Sequence, residues 1–273
     1  MEVTDFFELF MKELKINTSL SSYYKFHKSN TSFEFRKAYF CQRLQYIKDN
    51  IEGNNLKIWD CGCGYGTTAI FLALNGIPVY GSTLEFYIKE IPKRLEFYSA
   101  HGNVDLFTYS YENIFDSHPE PNSQDIIIIQ DTMHHLEPLQ GAITILKKVL
   151  KPSGKMILIE ENGSNVVQNL KLYLRRGNKR IIEIYDDRLN KKIILGNENI
   201  RNLSLWKKEF SKQGFDILPE KTQYIRFYPP FFFKNGNTDL VLEKEQQLWK
   251  KNSLLKEKLF FGLNFIVKHK EQI

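Results

Sequence analysis

The sequence predicts an α/β fold with a doubly wound parallel sheet, in which helices cover both faces of the sheet. The first observation is that short apolar segments alternate with helical segments between about residues 56 and 161. The second is the segment 125–130, which is apolar without alternation, as expected of a central parallel strand. The third is a glycine-rich turn that follows a short strand at 56–60. At 273 residues, one large α/β domain with attached elements suits the length better than two equal domains.

The N-terminal part is predicted to be helical. Residues 3–15 and about 33–51 have helical patterns, and Thr31 and Ser32 are candidate caps for the second helix. In that helix, apolar residues recur at helical spacing: Phe35, Tyr39, Phe40, Leu44 and Ile47.

The alternating elements follow in order. The strand at 56–60 leads through the glycines into a helix over 67–74, which ends at Asn75-Gly76, a usual stop signal. The remaining predicted elements are strands at 77–82, 104–109, 125–130 and 155–160, with helices at about 85–100 and 139–150.

After Glu161 the alternation breaks. Residues 162–201 are an insertion with mixed signals, after which a helix at 203–213 and a strand from Phe215 resume the pattern. A second insertion, about 228–260, carries Tyr-Pro-Pro-Phe-Phe-Phe and a charged amphipathic helix, and a last strand is predicted at 264–268.

Composition and charge argue against two broad classes. The chain is 42% hydrophobic with 21 Phe and 14 Tyr, which argues against wholesale disorder. The formal net charge of +6 suggests nucleic-acid binding, but the cations are spread along the chain and interleaved with acids. The basic cluster that stands out is Lys179-Arg180 with nearby Arg175-Arg176. We therefore expect a solvated surface and no nucleic-acid partner.

The three cysteines, Cys41, Cys61 and Cys63, form no regular framework, and they are too few for a Cys-rich zinc site. A reducing, cytoplasmic setting is therefore expected. The acidic N-terminus predicts no secretory signal peptide. No stretch approaches the ~18–20 apolar residues that span a bilayer, so we expect a soluble protein without a transmembrane segment.

The glycine-rich turn, Cys61-Gly-Cys-Gly-Tyr-Gly66, begins directly after Asp60. Glycines let the backbone approach a ligand and adopt positive φ, and ligands of such sheets bind at the carboxyl ends of the strands. Dinucleotide enzymes use G-x-G-x-x-G, but here the glycines are spaced G-x-G-x-G and Thr67 occupies the third dinucleotide position. A tight turn without a ligand is the alternative, which three glycines at alternate positions disfavour.

Four segments read together resemble the motifs of class I S-adenosylmethionine-dependent methyltransferases. They occur in the family's order at 58–66, 79–85, 125–138 and 150–159. The resemblance covers about 56–161 well, and 203–220 with 262–268 more loosely. It implies a seven-stranded Rossmann-like methyltransferase sheet with N-terminal helices and two insertions, whose final strand near 262–268 runs antiparallel.

The resemblance implies S-adenosyl-L-methionine as cofactor and S-adenosyl-L-homocysteine as product. It places the loop against the methionine portion of the donor and Asp60 at or near the ammonium group, although Asp60 could also cap the loop. The implied donor-binding residues are Asp60, Gly62, Cys63, Gly64, Gly66, Thr83, Leu84, Ser110, Tyr111 and Gln130.

One position departs from the family pattern. Where the family usually has an acid for the ribose hydroxyls, this chain has Thr83, with Glu85 two residues later. Some relatives of the cyclopropane fatty acid synthase type also carry a Thr-Leu pair there. Glu85 could reach the ribose or simply begin a helix. Ser110 and Tyr111 are expected beside the adenine, with packing as the alternative for Tyr111.

By the same resemblance, His134 and His135 face the sulfonium and are the candidate catalytic residues. A His matching His134 is the base in plant-type O-methyltransferases, and one matching His135 occurs in cyclopropane synthase-like enzymes. We expect one of them to deprotonate an acceptor hydroxyl, since an imidazole titrates near neutral pH, while the other could hold the loop. No metal is expected, because adjacent side chains should diverge and no third ligand is evident.

These features divide the chain into four parts. Residues 1–54 are predicted to be a helical lid, 55–161 the donor-binding core, 162–201 an acceptor cap, and 202–273 the completion of the sheet. The segment 22–27 is a candidate lid over the donor and 228–233 a candidate pocket lining, each with plain packing as the alternative.

The predicted function is methyl transfer to a small organic acceptor, with O-methylation favoured. A lipid or quinone acceptor and a non-catalytic donor-binding protein are the alternatives. A nicotinamide oxidoreductase is disfavoured by the glycine spacing. A homodimer stays open.

Overall fold

Three helices precede the sheet in the computed structural model, which describes residues 1–26, 29–234, 236–251 and 253–270. They are α1 (Val3–Ile16), α2 (Thr18–Tyr24) and α3 (Asn30–Asp49). The helix α2 was not predicted. It exists because Asn17 ends α1 and its side chain then accepts a hydrogen bond from the Leu20 amide, which caps the next helix.

The alternating core follows the predicted order. Its elements are β1 (Ile58–Cys61), α4 (Thr67–Leu74), β2 (Val79–Thr83), α5 (Ile91–Ser99), β3 (Phe107–Tyr111), β4 (Gln124–Gln130), α6 (Leu139–Val149) and β5 (Leu150–Glu161). The third strand starts later than its predicted position at 104, because Asn103 caps a short 3₁₀ turn over Val104–Leu106.

The first insertion is a helix followed by a hairpin: α7 (Val166–Arg176), β6 (Ile181–Asp186) and β7 (Lys191–Gly196). The hairpin forms its own two-stranded antiparallel sheet. Lys191 pairs with Asp116, so the hairpin lies over the loop that follows β3.

The last part contains α8 (Leu203–Ser211), β8 (Phe215–Ile217), β9 (Gln223–Ile225), α9 (Thr238–Lys251), α10 (Ser253–Leu259) and β10 (Gly262–His269). The helix predicted at about 238–259 is therefore described as two helices, and residue 252 lies outside the described residues.

The main sheet has the order β3-β2-β1-β4-β5-β10-β8, with β9 also paired to β10. The strands β1 to β5 pair in parallel, and β10 runs antiparallel to β5 as predicted. The expected seven positions are present, but one is divided between β8 and β9, which pair with opposite ends of β10. The sheet therefore has eight strands.

Two apolar layers hold the sheet. One contains α6 and α8 with Trp206 and Phe210, and the other contains α1 and α4 with Phe6 and Phe71. The central strand β4 contributes alternate isoleucines to both layers, which explains its unbroken apolar run. Within the described residues, no helix combines the length and the apolar character needed to cross a bilayer.

Candidate functional site

The glycine-rich loop lies at the carboxyl end of β1 and is hydrogen-bonded to the neighbouring strand β2. The amides of Gly62 and Cys63 both donate to the carbonyl of Ser82, at 2.8 and 3.0 Å. Gly62, Gly64 and Gly66 all have positive φ, at 89°, 53° and 72°. The first two segments that resemble family motifs, 58–66 and 79–85, therefore meet at one edge of the sheet.

The glycines have different roles. A Cβ at Gly62 would lie 2.2 Å from Thr132 Oγ1, and one at Gly66 would lie 2.6 Å from the Phe107 ring, so both allow close packing. Apart from its chain neighbours, no described residue has an atom within 4 Å of the Cβ position of Gly64. The loop therefore leaves free space at Gly64, where a ligand can approach the backbone.

Asp60 lies near the end of β1 and is 1% exposed, and its Oδ2 has no hydrogen-bond partner among the residues that the structure describes. Burial raises the pKa of its carboxyl group to about 7. An unsatisfied buried carboxylate oxygen is costly unless a partner supplies a donor. A cationic ligand group such as an ammonium would satisfy it.

The ends of β2 and β3 carry the other residues expected at the ribose and adenine. Thr83 is buried, and its hydroxyl accepts from the Glu85 amide at 3.0 Å, which shapes the turn at half-buried Leu84. Glu85 itself is exposed. The Ser110 hydroxyl lies 2.5 Å from that of Tyr80.

Two carboxylates accept hydrogen bonds from tyrosine hydroxyls at these strand ends. Tyr80 donates to Glu112, and Tyr111 donates to Asp186 of the hairpin at 2.5 Å. The guanidinium of Arg188 lies 4.1 Å from the centre of the Tyr111 ring. The hairpin thus closes over the end of β3.

The end of β4 carries two further groups. Gln130 donates to Thr68 Oγ1 at 2.5 Å, which joins β4 to the first turn of α4. Asp131, at φ 47°, pairs with Arg43 of α3. Arg43 was not among the residues expected from the sequence, because it comes from a distant helix without a motif.

His134 is buried between two carboxylates. Its Nδ1 lies 2.5 Å from Glu160 Oε2, and its Nε2 lies 3.7 Å from Glu198 Oε2. Burial alone would lower the pKa of His134, but the charge of Glu160 and its hydrogen bond outweigh burial and raise the pKa to about 9. At neutral pH His134 is therefore an imidazolium. Glu160 also accepts from the Met133 amide at 2.7 Å, which fixes the turn.

His135 is half-buried and less constrained. Its Nδ1 lies 2.7 Å from the carbonyl of Gly196 in the hairpin. Because a carbonyl only accepts, Nδ1 donates this hydrogen bond, and the tautomer that the contact selects has its lone pair on Nε2.

His134, His135 and Glu198 form a group whose ligand atoms lie within 4.8 Å of one another, close enough to hold a metal ion. The two rings lie 4.2 Å apart at their centroids, so the expectation that they diverge and lack a third ligand was wrong. The 3₁₀ turn Met133–His135 brings the rings together, and the segment that follows β7 supplies Glu198. A metal would have to displace the proton of His134, which opposes binding at neutral pH. The absence of a resident metal stays a prediction.

The N-terminal helices reach the loop through a buried ion pair. Arg94 binds both carboxylate oxygens of Glu13, at 2.7 and 2.8 Å, and Tyr98 donates to the same carboxylate. Arg94 also donates to the carbonyl of Tyr65 and to Thr67 Oγ1. The sequence signal for Glu13 was its place on the apolar face of α1, in register with Phe6 and Phe10.

The described part of the aromatic segment, residues 22–26, lies beside the same loop. Tyr24 shares a hydrogen bond of 2.8 Å with Thr67, and the Tyr23 ring packs 5.0 Å from that of Tyr65. His27 lies outside the described residues.

Residues 59–158 match the family described as a methyltransferase domain. No curated protein matches the chain in sequence. Among solved structures, the chain is similar to phosphoethanolamine N-methyltransferase 2 of Haemonchus contortus, with 18% identity, a TM-score of 0.55 and coverage of 85% of this chain. The chain spans 52% of that protein's length.

Two other similar structures show the breadth of the fold. A SAM-dependent methyltransferase of Methanosarcina mazei has 18% identity and a TM-score of 0.53, over 82% of this chain and 98% of its own. The cyclase SpnF has 12% identity and a TM-score of 0.56, over 86% and 81%. The match of residues 59–158 to the methyltransferase-domain family agrees with the order of the motifs and with the sheet topology, and the solved structures share this Rossmann-like fold.

Proposed function

We propose that the protein binds S-adenosylmethionine at the 62–66 loop and transfers its methyl group to a small organic acceptor. The observation that carries this proposal is the buried Oδ2 of Asp60, which has no partner among the described residues, on the same strand end and loop as the open Cβ position of Gly64. The ammonium of the donor would supply the missing hydrogen bond, and the loop backbone would contact its methionine portion. Thr83, Leu84, Ser110 and Tyr111 would line the nucleoside side, and Gln130 the side toward β4.

The donor supplies an electrophilic methyl group when bound. The residues of the chain then have to hold the acceptor in line with this methyl group and to accept a proton. Orientation alone can lower the activation barrier by roughly 7–11 kcal/mol in favourable intramolecular models. A site with few reactive side chains is therefore sufficient.

We assign proton acceptance to His135 rather than His134. His134 is an imidazolium between Glu160 and Glu198, so it lacks a free lone pair at neutral pH. His135 keeps a lone pair on Nε2 and is partly exposed. His134 would act by holding the turn on which His135 lies. This assignment favours O-methylation, since a hydroxyl must lose its proton.

The acceptor would lie under the hairpin β6–β7 and the N-terminal helices, which the chain adds to the shared core. A lipid or quinone acceptor is the second candidate, because apolar side chains are exposed on the insertions, among them Phe231 at 66%. The fold also occurs in a cyclase, so a donor-binding protein without methyl transfer is the alternative that an assay must separate.

The test of donor binding is calorimetry with S-adenosylhomocysteine. We expect saturable binding by the wild-type protein and none by Gly64→Arg, whose side chain would fill the ligand's space. Gly76→Arg is the matched control, because Gly76 also has positive φ and no atom within 4 Å of its Cβ position, at the far end of α4. Equal affinity in Gly64→Arg and Gly76→Arg would place the donor elsewhere.

The test of transfer uses donor labelled in the methyl group and a panel of hydroxylated acceptors. His135→Ala should lower turnover by about 10²–10⁴-fold while S-adenosylhomocysteine affinity stays unchanged. Label that partitions into an organic solvent would favour the lipid or quinone acceptor. Donor binding without transfer to any acceptor would favour the non-catalytic alternative.

A further inference from the structure

We propose that helix α7 docks the protein onto an anionic membrane surface. The helix exposes Val166, Leu170, Tyr173 and Leu174, with exposed fractions of 52%, 61%, 58% and 77%. Their spacing of four, three and one residues puts them on a single stripe of the helix. Leu172 is the buried residue of α7. A helix at a protein surface normally turns its apolar stripe toward the core, and this one turns it toward solvent.

The cations beside the stripe indicate what covers it. The segment 166–180 contains five cations and no Asp or Glu: Lys171, Arg175, Arg176, Lys179 and Arg180. Apolar side chains flanked by clustered Lys and Arg on a helix are the pattern of an interfacial membrane helix. Anionic headgroups would pair with the cations while the stripe enters the boundary with the acyl chains.

Other occupants fit less well. A symmetric contact with a second copy would bring the same five cations together, which is unfavourable without intervening acids. Nucleic acid would use the cations but leave Leu170 and Leu174 without a role. An anionic lipid surface uses both features of the helix.

The position of α7 connects this surface to the candidate active site. The helix begins shortly after β5, and Arg176 donates to the carbonyl of Glu198 at 3.3 Å. The carboxylate of Glu198 in turn faces His134. Docking through α7 would therefore place the hairpin and the crevice next to the lipid. This last consequence rests on the proposed function, whereas membrane binding does not.

The test is flotation of the full chain, without donor or acceptor, with vesicles of phosphatidylcholine alone or mixed with phosphatidylglycerol. We expect binding to the mixed vesicles only, weakened by salt because the attraction is screened. Each cation near the surface contributes a factor of about five in affinity. Lys171→Gln with Arg175→Gln should therefore reduce binding by about 25-fold.

The apolar part is tested with Leu170→Asn and Leu174→Asn together, which should also release the protein from mixed vesicles. Leu205→Asn and the pair Lys207→Gln and Lys208→Gln on α8 are the matched controls, since these residues are also exposed. All variants should keep the wild-type melting temperature and S-adenosylhomocysteine affinity.

Three results would overturn the proposal. The first is no binding to mixed vesicles, or binding that the α7 variants leave unchanged. The second is a dimer that the Leu170 and Leu174 changes dissociate, since a second copy would then cover the stripe. The third is RNA binding that the α7 charge changes abolish while vesicle binding is absent.

Discussion

Asp60 combines a structural cost with the binding role that we propose for it. Its carboxyl group is buried, one of its oxygens has no partner, and its pKa is raised to about 7. In the unfolded chain the same group titrates near 3.9. The folded protein therefore holds an extra proton between about pH 4 and 7, so this group's contribution to stability falls as the pH rises through that range.

Replacement of Asp60 by Asn should raise the free energy of unfolding at pH 8 and weaken S-adenosylhomocysteine binding. In the wild type, donor affinity should rise with pH up to about 7 and then level, because the ionised carboxylate is the form that binds an ammonium. Urea unfolding and calorimetry at several pH values measure both effects. An affinity in Asp60→Asn with the same pH profile as the wild type would remove Asp60 from the site.

His134 also has a raised pKa, from 6.5 to about 9, but here the nearby charge of Glu160 favours the charged form. The stabilisation is complete below the unfolded pKa and is lost as the pH rises through about 9. An increase in pKa of this size corresponds to a stabilisation of the folded state by about 3 kcal/mol.

His134→Gln should therefore flatten the loss of unfolding free energy between about pH 7 and 9, measured with urea. His118→Gln, which changes a histidine that the structure pairs with the Pro119 carbonyl and not with a carboxylate, should keep the wild-type slope. A wild-type protein whose stability does not change across this range would contradict the charged state of His134.

The shared location of Asp60, Thr83, Ser110 and Gln130 could be predicted from the sequence, since they lie near the carboxyl ends of parallel strands, which share one edge of the sheet. Their assignment to the donor stays a prediction. The charged residues that contact Asp131 and His134 could not be predicted from the sequence. Arg43, Glu160 and Glu198 come from separate segments, and nothing local in the sequence indicates that a surface helix, a strand and an insertion will meet at His134 and Asp131.

Among the elements, α1 is connected to the glycine-rich loop through a buried ion pair. Glu13 and Arg94 are both buried, and breaking a buried ion pair leaves an uncompensated charge that costs about 3–5 kcal/mol. The pair joins α1 to α5 and, through Tyr65, to the turn after β1.

Glu13→Gln should lower the free energy of unfolding by about 3 kcal/mol, because Arg94 would lose its countercharge. Glu8→Gln is the control on the same helix. Glu8 makes an exposed ion pair with Lys37 at 3.7 Å, and its loss should change stability by less than about 1 kcal/mol. If the two changes lowered the free energy of unfolding equally, the buried pair would contribute no more to stability than the exposed pair.

The sequence predicted most elements of the core, and it missed others for identifiable reasons. The boundary between α1 and α2 depends on the Asn17 cap inside a continuous helical pattern. The hairpin β6–β7 exposes Ile181, Ile184 and Tyr185 together, so its strands lack the clean alternation of a half-buried sheet.

At the scale of the molecule, the donor should protect one edge of the sheet. S-adenosylhomocysteine is expected to slow amide hydrogen exchange at 62–68, 83–85, 110–112 and 130–135, because these segments meet at the loop. The groove of about 760 Å³ between α3, β9 and α9 should be unaffected. Mass spectrometry of exchanged peptides, with Gly64→Arg as the unliganded control, measures this. Protection confined to the groove would relocate the site.

The doubly wound architecture itself was predictable from the order of strands and helices. The division of one strand position was not, since β8 and β9 each have only three residues, separated by a 3₁₀ turn over Pro219–Lys221. Tertiary contacts decide which half of β10 pairs with β8 and which half pairs with β9.

The placement of β10 has a consequence for biosynthesis. It lies between β5 on one side and β8 and β9 on the other, yet it is made after all three. On the ribosome, β8 and β9 therefore have no partner strand until residues 262–269 emerge, and the bare edge of β5 stays open to wrong pairing. A nascent chain stalled before Gly262 would lack three strands rather than one, and it should be a client of chaperones until translation resumes.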